Sequence, residues 1–370
     1  MKITKTDLVV ALGHAKKFIA KRSNLPILQQ ALFDPENQRI VATDLETTAH
    51  IALEMTDFCR KITVAKKKQD FIESFCVDPA SLLDMVKTAE GEIINISIEE
   101  EKGENLFKSD YYKLSIDENF TSIYAMPGNE FPSVTPEETS HVVELTGKTV
   151  HKVTCLKNGD TNGYGNILNC VLFDGEKNRL VTTDGHRLHM VDEKLSTDEQ
   201  ILIPIEALRK SACIADEKIS ISSNKTHTEM IVGKIRVVTR NEDGKFPEYE
   251  GVVPKKSKHK ITVDKSKLEK TCDQAIILLS SNHGGAKFCF NKVLSAEMVN
   301  PDKGTFQKTD VPIKGKIGEK IEVGLNVRYL KDALNCIDKD EVQVELTDAN
   351  SPFIFSSHEN FRALIMPMRI

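Results

Sequence analysis

None of the short motifs that carry common catalytic chemistry occurs in this 370-residue sequence, which has no GxSxG, no P-loop, no HExxH and no glycine-rich dinucleotide fingerprint. Their absence removes the usual routes to acyl transfer, nucleotide hydrolysis, zinc proteolysis and hydride transfer. No apolar run is long enough to span a bilayer, and the N-terminal MKITKTDL lacks the apolar core of a secretory signal. A soluble, cytoplasmic protein with no membrane partner is expected. The eight cysteines, Cys59, Cys76, Cys155, Cys170, Cys213, Cys272, Cys289 and Cys336, include no CxxC pair, and most lie in apolar segments. Reduced core thiols are expected rather than zinc or disulfides, and no cofactor or metal is implied.

What the chain does contain is a repeated hairpin. Leu172–Val191, LFDGEKNRLVTTDGHRLHMV, places turn residues Asp174-Gly175 between two extended runs and ends the second run at Asp184-Gly185. Leu32–Ile51, LFDPENQRIVATDLETTAHI, follows the same plan, and Phe288–Val299 is a more eroded third copy. Three further segments, Phe75–Val86, Ile201–Ala212 and Val323–Leu334, each pass from an apolar strand end into a short amphipathic helix. The spacing, on the order of 120 residues, is too long for a solenoid and fits domains with their own cores. Three similar α+β domains are expected, at 1–136, 137–256 and 257–370.

A helix is predicted from about Thr6 to Ala20, with Leu8, Leu12, Ala15 and Ile19 on its apolar face. Arg22-Ser23-Asn24 is read as a loop, and Leu25–Leu28 as the start of an extended segment. Asp78-Pro79 reads as an N-cap followed by a first-turn proline, opening a helix to about Thr88. Later helices are expected at about Thr146–Leu156, with Lys148, His151 and Lys152 exposed, across Arg209-Lys210, and from about Asp264 with Lys265, Lys267 and Lys270. The last strand is expected to run from Leu364 to the terminus. The net charge of −5 divides into +7 on six helix windows and −12 elsewhere. One lysine-rich helix face is ordinarily just solvated, but a basic set repeated by domain suits a polyanion.

The motifs NLPIL at Asn24–Leu28, ATDLE at Ala42–Glu46, TDGHRL at Thr183–Leu188, FPEY at Phe246–Tyr249, VGLNVRYL at Val323–Leu330 and MPMRI at Met366–Ile370 span essentially the whole chain. In this set the sequence resembles the bacterial sliding clamps, the β subunits of DNA polymerase III. The resemblance implies a DNA-clamp fold in which a head-to-tail homodimeric ring has helices lining its interior and sheets outside. It implies a processivity factor without catalytic activity of its own, which encircles duplex DNA independently of sequence. The replicative polymerase, the clamp loader and repair proteins would be its partners, held through short linear motifs near the nucleoid.

Carried over by motif, the wall of the partner-peptide groove is Leu168, Thr183, Gly185, His186, Arg187, Leu188, Pro247, Val252, Tyr329, Leu364, Met366, Pro367, Met368 and Arg369. Methionines adapt to varied apolar ligands, and Arg187 and Arg369 are suited to peptide carbonyls or carboxylates. Strand alternation would turn one of Met366 and Met368 inward. The implied DNA-facing set is Arg22, Lys148, Lys152, Tyr164, Arg209, Lys210, Lys267 and Lys331. The sequence departs from the family pattern at Glu250-Gly251, at Asn166-Ile167 and at Ile205-Glu206, which puts the charged flank of the partner motif and the second-domain DNA contacts in question.

Two other functions compete with this one. A clamp-like paralogue would bind partners as a scaffold without encircling DNA. A hydrolase would use Asp184 and His186 as an acid-base pair, with Cys170 or Ser280 as nucleophile. A turn aspartate and a groove-wall histidine are the simpler reading of the same pair.

Overall fold

The computed structural model describes residues 1–56, 60–64, 67–71, 74–101, 111–116, 122–132, 138–156, 166–214, 218–279, 284–300, 302–357 and 360–369. One order of elements recurs three times: a strand, a helix, three strands, a strand, a helix and three strands. The first pass contains β1 (Lys2–Thr4), α1 (Lys5–Phe18), β2 (Ala31–Asp34), β3 (Arg39–Thr43) and β4 (Thr47–Ala52), then an added hairpin of β5 (Arg60–Val64) and β6 (Lys67–Phe71). It closes with β7 (Phe75–Val77), α2 (Pro79–Thr88), β8 (Ile93–Glu101), β9 (Tyr111–Ile116) and β10 (Ser122–Pro127). The second pass runs β11 (Ser140–Leu145), α3 (Gly147–Thr154), β12 (Cys170–Asp174), β13 (Arg179–Thr183), β14 (Arg187–Asp192), β15 (Gln200–Pro204), α4 (Ile205–Ala212), β16 (Ile219–Ser223), β17 (His227–Val232) and β18 (Ile235–Arg240). The third runs β19 (His259–Asp264), α5 (Lys265–Ile276), β20 (Gly285–Phe290), β21 (Val293–Asn300), β22 (Gly304–Gly315), β23 (Ile321–Asn326), α6 (Val327–Asn335), β24 (Glu341–Leu346), β25 (Phe353–Ser356) and β26 (Phe361–Ile365).

The chain forms two compact units, Met1–Glu144 with Lys210–Asn241, and Leu145–Arg209 with Glu242–Ile370. Each is built on one twelve-stranded sheet, and each joins a complete pass of the repeat to part of the second. In the first unit the order is β1-β8-β9-β10-β7-β2-β3-β4-β18-β17-β16-β11, and in the second it is β15-β12-β13-β14-β26-β25-β24-β19-β22-β21-β20-β23. The joints are ordinary antiparallel pairings: β4 on β18, with Thr47 opposite Thr239, and β14 on β26, with Leu188 opposite Leu364.

The repeated hairpins share their local chemistry. Leu172 faces Val181 and Leu32 faces Val41, while the left-handed residue each turn needs is Asn178 in one copy and Gln38 in the other. Gly175 is required by close packing, since a Cβ there would lie 2.3 Å from the Thr197 carbonyl. The third copy is also a hairpin, with Phe290 opposite Leu294.

Helix α1 buries Leu8, Ala11, Leu12, Ala15 and Phe18, so Phe18 takes the inward place expected of Ile19. Asp78 caps α2 by accepting from the Ala80 and Ser81 N–H groups, with Pro79 in the first turn. Two local expectations are corrected. Pro26–Gln29 forms a 3-10 turn that buries Leu28, since the fixed proline φ starts a turn as readily as a strand. The terminal strand ends at Ile365, and Met368 returns to pair with Gly324.

Candidate functional site

The turn between β13 and β14 is the rigid centre of the candidate groove. The Asp184 carboxylate accepts from the N–H groups of His186 and Arg187, both at 3.0 Å, while the Thr183 hydroxyl donates to the Arg187 carbonyl at 2.7 Å. Gly185 takes φ 86° there, a left-handed conformation that costs glycine nothing. The corresponding residue of the first repeat, Leu45, adopts φ 76°. Asp184 and His186 therefore lie in a turn and not on a strand, and the carboxylate is committed to backbone N–H groups and to Arg187.

This arrangement presents His186 and draws Arg187 inward. The His186 ring stacks on Tyr329 of α6 with centroids 6.5 Å apart. Arg187 is only 4 % exposed, bonded to Asp184 at 2.8 Å and Asp332 at 2.6 Å, with its guanidinium 4.1 Å from the centre of the Tyr329 ring. Burial opposes its charge, but the two carboxylates more than offset that and raise its pKa. Two of the Arg187 donors thus hold the wall together, on Asp184 and Asp332. Asn326 fixes Tyr329 from below by capping α6, accepting from the Arg328 and Tyr329 N–H groups.

Beneath this wall Leu188 and Leu364 belong to one buried cluster with Cys170, Leu172, Phe246 and Tyr249. Leu168 and Thr183 are also buried, Pro247 and Pro367 are half-buried, and Val252, Gly185, His186 and Arg369 are exposed. The Tyr249 hydroxyl donates to Asp174 at 2.8 Å, and burial followed by that carboxylate raises its pKa. Glu250, the family departure, lies 3.8 Å from Lys177 and 3.9 Å from Arg179.

The tail after β26 completes the surface. The Met366 N–H donates to the His186 carbonyl at 3.0 Å, and the Met368 N–H to the Gly324 carbonyl at 2.9 Å. Met366 is 37 % and Met368 40 % exposed, so the expected inward and outward alternation does not hold once the strand has ended. The Met368 thioether lies over Gly285, where an added Cβ would approach the sulfur to 2.6 Å.

The hydrolase alternative finds no support in this geometry. His186 faces Tyr329, and Cys170 is a buried thiol pushed up to about 12 by burial, the wrong direction for a nucleophile. Ser280 lies outside the described residues.

The basic residues fall into two groups. Arg22, Lys148 and Lys267 are exposed. Lys152 is 7 % exposed and bound to Asp338 at 3.1 Å, which corrects its expected exposure. It lies on the inward side of α3, where a long aliphatic stem packs well and only the ammonium needs a carboxylate. Burial pushes Asp338 upward, but Lys152 and then Lys148 hold it below the usual carboxylate range. Lys210 is paired with Asp44 at 2.7 Å and lies over the Phe18 ring. Arg209 binds Glu206 at 3.0 Å and the Thr154 carbonyl, and Lys331 binds Asp273 at 3.0 Å. Tyr164 lies outside the described residues. Sequence reasoning missed Asp338, Asp44 and Asp273 because they come from other segments than the lysines they meet; it also missed a Cys155, His189 and Cys336 cluster assembled from three elements.

A sheet-and-helix unit repeated three times along the chain is the architecture of the clamp class of α+β proteins. The family model described as DNA polymerase III beta subunit, N-terminal domain, matches residues 1–135, and that for its C-terminal domain matches 250–369. A beta sliding clamp of Pseudomonas aeruginosa is 25% identical over 374 residues, covering 95% of both chains. A putative DNA polymerase III beta subunit from Eubacterium rectale has the same fold, with TM-score 0.83 at 18% identity, covering 100% of this chain and 99% of that one. The sliding clamp from Bartonella birtlesii bound to griselimycin has TM-score 0.82 at 22% identity, covering 100% of both. The chain belongs to the bacterial DNA polymerase III β-subunit family, the β sliding clamps.

Proposed function

We propose that this chain is a DNA sliding clamp that acts as a ring-shaped homodimer of three-domain subunits, divided near 1–136, 137–256 and 257–370. The ring encloses duplex DNA without reading its sequence and tethers the replicative polymerase to it. Polymerase, clamp loader and repair proteins attach through short linear motifs at the wall formed by His186, Tyr329, Met366 and Met368. Nothing in that task requires a catalytic group. Exposed arginine and lysine at Arg22, Lys148 and Lys267 supply weak phosphate attraction, and weak contacts suit a ring that must slide.

One observation carries the peptide-site assignment. Two large apolar side chains, Met366 and Met368, stay exposed on a tail whose backbone is pinned at both positions, beside a stacked His186–Tyr329 pair. Flexible thioethers on a fixed frame accept varied apolar anchors. The test is fluorescence anisotropy with a labelled peptide bearing the clamp-binding segment of a replicative polymerase. Met368→Ala is expected to weaken binding by about tenfold while leaving the oligomeric state unchanged. Unchanged affinity would remove the groove assignment.

A further inference from the structure

Cys155 follows the last residue of α3, and Cys336 follows the last residue of α6, two helices distant in sequence. Their sulfurs lie 3.4 Å apart. His189 of β14 closes the group: it is fully buried, and its Nδ1 is 2.9 Å from the Lys152 carbonyl and 3.4 Å from the Cys155 sulfur. A carbonyl only accepts, so Nδ1 carries the proton and also directs it toward Cys155. The other ring nitrogen is buried and has no hydrogen-bond partner among the described residues.

That tautomer decides between two chemistries. A metal ion bound through Nδ1 would need that nitrogen deprotonated and turned from the Lys152 carbonyl. The same N–H, together with the Cys336 thiol, instead stabilises negative charge on Cys155. The Cys336 thiol is the largest influence lowering the Cys155 pKa, with His189 adding to it against burial, and Cys336 is raised in turn. Cys155 is half-buried and reachable by a small oxidant, whereas Cys336 is 1 % exposed and reachable chiefly by its neighbour.

We propose that Cys155 and Cys336 form a reversible disulfide with hydrogen peroxide as oxidant. The Cys155 thiolate attacks one peroxide oxygen, breaking the O–O bond to give Cys155 sulfenic acid and hydroxide. Cys336 then displaces the hydroxyl group from Cys155, its proton leaving with that group as water, and the S–S bond forms. Two thiols and one peroxide become one disulfide and two waters; each sulfur loses one electron and the peroxide gains two. Closing from 3.4 Å to a bond of about 2.05 Å is a small adjustment for two residues just past helix ends. The product ties α3 to the helix that carries Tyr329, and thiol reductants release it.

The test uses the full chain treated with a small excess of hydrogen peroxide, alkylated, and digested without reductant for mass spectrometry. Expected are a Cys155–Cys336 linked peptide, loss of two free thiols, and recovery of both with dithiothreitol. In Cys336→Ala the cross-link is absent and dimedone labels Cys155. His189→Gln slows formation of the cross-link by about tenfold at neutral pH. Oxidation confined to other cysteines, with Cys155 and Cys336 still alkylated, would overturn the proposal. So would protection of both thiols by one equivalent of zinc with no cross-link under peroxide.

Discussion

His50 shows how a half-buried ring ties the stability of the first unit to pH. Its Nδ1 accepts from Arg39 at 3.3 Å, and the other ring nitrogen is buried with no partner among the described residues. Burial first, then Arg39 and Arg236, lower its pKa to about 4, against an ordinary 6.5. The unfolded chain therefore binds a proton near pH 6.5 that the folded chain refuses. Stability is full above pH 6.5 and falls as pH drops toward 4, by roughly 2–3 kcal/mol if no other group compensates. Denaturant midpoints measured between pH 7 and 4 should show that loss. His50→Asn, whose amide oxygen can accept from Arg39 without titrating, should flatten it. Equal acid slopes in the two proteins would contradict the assignment. Arg187 teaches a related lesson, since its placement in TDGHRL suggests a ligand contact while its burial between two carboxylates makes it a brace.

Helix α6 is the element on which the groove depends, because it supplies Tyr329 and Asp332 on one half-buried edge while burying Val327, Leu330, Ala333 and Leu334. Its start is fixed by Asn326, whose side chain accepts two N–H bonds. Asn326→Ala should cost about 1 kcal/mol, read as a melting point lower by a few degrees. It should also weaken peptide binding, since the first turn carries Tyr329; full stability with full binding would show that the cap is dispensable. Much at this scale was legible in the sequence. The duplicated LFD hairpin, the Asp78-Pro79 cap and the strand-to-helix passages are encoded by neighbouring residues, so local chemistry sufficed. Residues meeting across the fold were not legible: Lys152 with Asp338, Lys210 with Asp44, and Cys155 with Cys336 depend on tertiary placement. The tail departs from a strand at Pro367, which has no N–H to give to a ladder, and Met366 and Met368 are held by two separate bonds.

For the whole molecule, the claim is that DNA is held by enclosure and only weakly by contact. The proposed ring is a homodimer, so the free protein should sediment as a dimer at micromolar concentration. Arg22→Ala combined with Lys148→Ala should reduce loading onto DNA several-fold through lost phosphate attraction, without altering the dimer or peptide affinity. Arg22 and Lys148 are exposed, whereas Lys152 and Lys210 are paired with carboxylates and their loss would unsettle the fold.

The most direct measurement compares retention on nicked circular DNA, after placement by a clamp loader, with retention after the same circle is cut. The bound protein should survive moderate salt on the closed circle and run off once unblocked ends exist, because only topology holds it there. Equal retention on circular and linearised DNA would contradict the sliding-clamp account, and salt-sensitive loss independent of ends would mark a protein bound by surface charge alone.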